Sequence, residues 1–178
     1  MEIKAEGGEA MGVTVNVTDE ASVQKMVDDI MEAYGRIDVL VNNAGISQKV
    51  TVEDMTLADI RKIFEVNMFG LFLCTQKCMK VMREQKYGRI VNLSSVSGKR
   101  GGGVFGGAHY SASKAAVLAF SKNLSREISA EGITVNSVCP GLIKYGNMEV
   151  NFQKRTQTRL LTESPWDVRG RPRKWQMP

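Results

Sequence analysis

Apolar positions follow two periods along this chain. Short runs of β-branched and apolar residues recur at 11–17, 37–41, 89–93 and 133–138, and longer stretches with helical spacing separate them. Thr18 or Asp19 caps a helix predicted over about 20–34, with Val23, Met26, Val27, Ile30 and Met31 inward and Gly35 as its stop. Thr56 caps a longer one over about 57–84, expected to bend near Gly70. A third runs over about 112–129, with Ala115, Ala116, Ala119 and Phe120 giving a small-residue face and Gly132 beyond its end. The first residues, 1–6, read as the end of a helix stopped by Gly7-Gly8. The nearly all-apolar run 37–41 suits a parallel sheet covered on both faces. Strands alternating with helices predict an α/β fold with a doubly wound parallel sheet.

Length and composition fit one soluble domain, 43% hydrophobic and 24% charged. The net charge of +5 is placed unevenly: Lys154, Arg155, Arg159, Arg169, Arg171, Arg173 and Lys174 face only Glu163 and Asp167, seven against two, which equals the whole excess. That tail lacks aromatic interleaving and helical period, so it does not read as a nucleic-acid arm. Cys74, Cys78 and Cys139 lack metal or redox spacing and read as buried thiols or plain cysteines. No apolar run of membrane-spanning length and no signal peptide is seen, so the chain is expected to be cytoplasmic, away from membranes, and without a metal.

Candidate chemistry centres on Tyr110-Ser111-Ala112-Ser113-Lys114. Tyr110 and Lys114 stand four apart, one helical turn, on one face. A cation there favours phenolate over phenol, which suits acid–base work. Ser95 closes the strand-like run Ile90-Val91-Asn92-Leu93-Ser94-Ser95, where a hydroxyl can polarise a carbonyl. Asn67 is polar amid an apolar helical run, readable as a core amide. Asn42-Asn43-Ala44-Gly45 follows a strand at its carboxyl end, where open α/β sheets bind ligands. The Gly-rich stretch 99–107 lacks the spacing of a phosphate-binding loop. His109, the lone histidine, reads as a surface-loop residue, with tuning of a substrate as the alternative.

Taken together and in this order, Val41-Asn42-Asn43-Ala44-Gly45, Val66-Asn67-Met68-Phe69-Gly70, Ser95, Tyr110-Ser111-Ala112-Ser113-Lys114 and Pro140-Gly141-Leu142-Ile143 resemble the classical short-chain dehydrogenase/reductases, and among them the 3-oxoacyl-[acyl-carrier-protein] reductase type. The resemblance implies a Rossmann-like fold over 1–143. It implies Tyr110 as general acid, Lys114 as its partner and ribose ligand, Ser95 on the carbonyl oxygen, and Asn67 bending its helix and holding a water in a proton relay. Asn43, Ala44 and Gly45 would line the cofactor cleft, Asn16 and Val17 would touch adenine, and Pro140, Gly141 and Ile143 would face the nicotinamide. The implied cofactor is NADP(H), with NAD(H) left open, and the implied substrate is an acyl thioester or similar small ketone. The implied assembly is a homodimer or homotetramer through helices near 68–82 and 112–129.

Departures from the family pattern are also expected. The opening strand, the TGxxxGxG turn that cradles a pyrophosphate, and the second strand have no counterpart, so the sheet is expected to be incomplete at its start and, lacking the C-terminal strand, at its end. The run 11–17 would then be an edge strand facing a gap, poorly supported, with strands near Val39, Val91 and Val135 forming the only contiguous sheet. Residues 144–178 are expected to be a basic tail without fixed structure. Back-translated in a shifted frame, Trp166–Asp167 forces a glycine codon, while Trp175–Gln176 and Met177–Pro178 force alanine codons. The other codons permit a string like the family's segment after the Pro-Gly turn, so a frameshift is expected between Ile143 and Thr162. Two functions of different class follow: a Ser-Tyr-Lys-Asn reductase, or a catalytically inactive fragment or oligomer partner that lacks the phosphate loop.

Overall fold

The structure, a computed structural model, describes residues 2–102, 106–128 and 130–141. It divides into two compact units, Met1–Cys139 and Pro140–Pro178. In the second, only Pro140 and Gly141 are described, so Ile143, the tail 144–178 and the frameshift expected after Ile143 lie outside the described residues.

The first unit begins with a short helix α1 (Glu2–Ala5), followed by α2 (Glu20–Tyr34). Asp19 caps α2 by accepting from the backbone N–H groups of Ala21 (2.9 Å) and Ser22 (3.3 Å), and Gly35 ends it in the left-handed conformation. Strand β1 (Val39–Asn42) comes next, then α3 (Leu57–Phe64). Its capping box is complete: the Asp59 N–H donates to Thr56 Oγ1 (3.2 Å), and the Thr56 N–H donates to Asp59 Oδ2 (2.9 Å). The helical path continues through a π-helical turn, Glu65–Gly70, into α4 (Leu71–Gln85). Strand β2 (Gly88–Leu93), helices α5 (Val96–Arg100) and α6 (Ala108–Glu127), and strand β3 (Ile133–Val138) complete the unit.

The three strands form one parallel sheet in the order β1-β2-β3, with Leu40, Ile90 and Val135 in register across it. That row faces the core of Val27, Ile37, Cys78, Met82, Ile90, Leu124, Ile128 and Ile133. Helix α4 covers β1 and β2, α6 covers β2 and β3, and α2 flanks α4. Burial alternates along β2 because successive side chains point to opposite faces. A polar network runs through the same interior. Asn42 Nδ2 donates to Thr75 Oγ1 (2.9 Å) and Asn92 Oδ1 (2.8 Å), and Asn92 Nδ2 donates to Ser121 Oγ (2.8 Å). It ties the carboxyl ends of β1 and β2 to α4 and α6.

Three expectations need correction. The sheet is not covered on both faces: Val39 (55%) and Val41 (54%) are largely exposed, because the helices α2, α4 and α6 lie over the opposite row. The run 11–17 forms no ladder, although Val17 packs against Gly70. The expectation that the run is poorly supported and that strands near Val39, Val91 and Val135 form the only contiguous sheet holds among the described residues. The helix over 57–84 does not merely bend near Gly70; it passes through a full π-helical turn that contains Asn67. The Tyr110 helix starts at Ala108, four residues earlier than the pattern implied, which places His109 in a helical first turn.

Candidate active site

The residues expected to carry chemistry gather where β1 and β2 end. Ser95 follows β2 as the N-cap of α5, 9% exposed, with its Oγ accepting from the Ser97 N–H at 3.1 Å. The neighbouring Ser94 Oγ donates to the Lys114 carbonyl at 2.7 Å. Gly98, one turn into α5, lies so close to α6 that an added Cβ would stand 2.7 Å from the Lys114 carbonyl carbon. Glycine is required there by the approach of two backbones, which keeps Ser95 beside the Lys114 turn.

Tyr110 and Lys114 occupy successive turns of α6. Tyr110 is half-buried, with its ring against Gly106. Lys114 is buried, and its Nζ donates to the Leu93 carbonyl at 2.7 Å. Burial pushes its amine below the usual lysine value of 10.5. Asn67, 1% exposed in the π-helical turn, is the hinge of the site. Its Oδ1 accepts from the Ile46 N–H (2.8 Å), and its Nδ2 donates to the Ile46 carbonyl (3.0 Å) and to Ser113 Oγ (3.1 Å). Ser113 Oγ in turn donates to the Tyr110 carbonyl at 2.8 Å. The loop after β1 is thereby fastened to the Tyr110 helix.

Gly45 closes the constellation. A Cβ there would lie 3.3 Å from Asn67 Oδ1 and 3.4 Å from Lys114 Nζ. Gly45, Asn67 and Lys114 therefore converge, with Tyr110 one turn from Lys114 and Ser95 tied to the same helix. Asn43, Ala44 and Gly45 are exposed along this edge. Asn16 Oδ1 is taken up by Thr18, accepting from the N–H (3.1 Å) and the hydroxyl (2.9 Å), and Val17 packs on Gly70, in the π-helical turn that carries Asn67. Pro140 and Gly141 belong to the second unit.

Sequence reasoning missed Ser94 and Ser113, whose hydroxyls join backbone to site. Their one signal was adjacency to Ser95 and Lys114. His109 is corrected outright: it is 3% exposed, not a surface residue, because the early start of α6 turns it inward. Cys74 and Cys78 are buried, and burial pushes the Cys78 thiol up to about 12, which makes it inert at neutral pH. Among the described residues no three His, Cys, Asp or Glu side chains gather as a metal site, and no helix is long and apolar enough to cross a membrane.

The family model for short chain dehydrogenases matches residues 1–157. The chain belongs to the short-chain dehydrogenase family. It is 44% identical over 142 residues to a 3-oxoacyl-[acyl-carrier-protein] reductase of Synechocystis, covering 80% of this chain and 57% of that one. It is 39% identical over 138 residues to the Escherichia coli reductase FabG, covering 78% and 56%. A short-chain dehydrogenase structure from Streptomyces avermitilis superposes with a TM-score of 0.73 at 35% identity, covering 82% of this chain and 54% of that one. The chain thus spans little more than half the length of these short-chain dehydrogenase relatives. The family consists of oxidoreductases that use a nicotinamide cofactor. The residues present fit the nicotinamide end of such a cofactor: the exposed Gly45 backbone comes close to Asn67 Oδ1 and to the Lys114 amine, an N–H donor of the kind a ribose hydroxyl accepts from.

Proposed function

We propose that the site reduces the ketone of a 3-oxoacyl thioester, or a similar small ketone, with NADP(H), NAD(H) being the alternative carrier. The observation that carries this reading is the convergence of Gly45, Asn67 and Lys114 beside the Tyr110 turn and the Ser95 cap. The bound nicotinamide supplies hydride. The rest belongs to the chain. Ser95 Oγ donates to the carbonyl oxygen and polarises it. The Tyr110 hydroxyl, a second donor to that oxygen, gives up its proton as negative charge develops there. Lys114, held by the Leu93 carbonyl, places a positive charge one turn away that stabilises the remaining phenolate. Asn67 keeps Ile46 and Ser113 in place and leads the returning proton from solvent through a water toward Lys114.

The test is turnover of a 3-oxoacyl thioester by the purified full chain, followed by loss of reduced nicotinamide. Tyr110→Phe is expected to lower kcat by roughly 10²–10⁴-fold, the usual worth of a general acid. Equal turnover by the variant and the parent contradicts the assignment. A second reading, a non-catalytic partner of other subunits, draws on the exposed Phe69 (49%) and Phe72 (41%) along the π-helical turn and α4. Under it the chain binds no nicotinamide and self-associates through that face.

A further inference from the structure

His109 is 3% exposed, and neither ring nitrogen has a hydrogen-bond partner. Buried polar groups nearly always have one, so the imidazole calls for a physical explanation. A second buried atom without a partner is Gln48 Oε1. The two residues lie on either side of Gly107. The Gly107 N–H donates to the Gln48 carbonyl at 2.8 Å. A Cβ on Gly107 would stand 3.0 Å from Cε1 and Nδ1 of His109 and 2.7 Å from the Val50 carbonyl oxygen. The ring is therefore packed against the loop that carries Gln48. The Gln48 amide also reaches α3, with Nε2 donating to Asp59 Oδ1 at 2.6 Å.

The loop 46–50 is thus gripped twice. Asn67 holds it at Ile46, and Gly107 with Asp59 holds it at Gln48. Tyr110 is the next residue after His109, and the first turn of α6 sets where its phenol stands. We propose that His109 is a positioning residue for Tyr110: its ring, joined to Gln48 Oε1 through one internal water, locks the loop 46–50 onto the first turn of α6. A neutral imidazole offers one donor and one acceptor, and a water needs two to four polar partners. A ring N–H donating to the water, with the water donating to Gln48 Oε1, satisfies that ring nitrogen and the amide oxygen and selects one tautomer, the other ring nitrogen being left as an acceptor. The inference rests on Tyr110 being the acid, since an ångström of drift in a proton donor costs rate even when substrate still binds.

His109 is the only histidine in the chain, so the ¹⁵N ring spectrum of the full chain contains a single imidazole. In mildly alkaline buffer the ring is expected in one tautomer, and Gln48→Leu converts it to an averaged mixture. His109→Phe keeps a buried ring and removes both nitrogens. It is expected to speed amide exchange at Gly107 and across 46–50 at least tenfold and to lower kcat with KM unchanged, while His109→Gln restores most of both. An averaged tautomer in the parent, or a Gln48→Leu spectrum identical to it, overturns the inference, and this arm stands even if His109→Phe fails to fold. Unchanged protection or kcat in a folded His109→Phe also overturns it. If the parent has no turnover, the reductase reading falls by itself, and the ring spectrum and amide exchange still decide whether His109 holds the loop.

Discussion

Single atoms set this site. Gly98 shows it most plainly, since its missing Cβ lets α5 meet the Lys114 backbone and keeps the Ser95 cap beside α6. Gly98→Ala puts a methyl 2.7 Å from a carbonyl carbon that cannot swing away. We expect a loss of about 1–3 kcal/mol in chemical denaturation, the range of an overpacked interior, with reduced activity. Unchanged stability would mean that α5 slides freely. The residue scale is also where the sequence was most readable. Tyr110, Lys114 and Ser95 declare themselves by spacing and by position after a strand. His109 does not, because the ring packs at Gly107 against the loop of Gln48 and Val50, about 60 positions away along the chain. Nothing local to Gly107–Tyr110 records those neighbours.

At the scale of elements, the start of α3 is an electrostatic joint. Asp59 is held down to about 2 from an ordinary 3.8, first by the Thr56 hydroxyl, then by the Gln48 amide and the Thr56 N–H. Its folded value is depressed, so the stability it lends is complete above its ordinary value and is withdrawn as the pH falls from about 4 toward about 2. Asp59→Asn is expected to flatten that part of the stability–pH curve, measured by thermal unfolding across the acid range. A variant curve with the parent's acid slope would place the dependence elsewhere. The helix caps at Asp19 and Thr56 were legible because capping residues carry their own signature. The π-helical turn was not. The apolar spacing of Ile60, Ile63, Phe64, Met68, Leu71 and Phe72 runs straight through it, and the turn arises from Asn67 holding Ile46, a contact across 21 positions. The run 11–17 has a strand's pattern and, as expected of a poorly supported edge, pairs with no strand among the described residues.

Across the first unit, one helical layer covers one face of a three-stranded sheet. Ile90, 0% exposed, anchors that face, whereas Val39 on the opposite row of the neighbouring strand is 55% exposed. Ile90→Ala is expected to cost about 2–5 kcal/mol and Val39→Thr within about 0.5 kcal/mol, read from denaturant midpoints. Comparable costs would show that both faces are packed in solution. The edge that gathers Ser95, Tyr110, Lys114, Asn67 and Gly45 lies within this same unit. The central proposal is that this edge takes part in holding a nicotinamide cofactor. Titration of the full chain with NADPH, followed by calorimetry, tests that claim most directly. The account predicts saturable one-to-one binding that Lys114→Met weakens at least tenfold. No binding up to millimolar NADPH, or equal binding by parent and Lys114→Met, would contradict it.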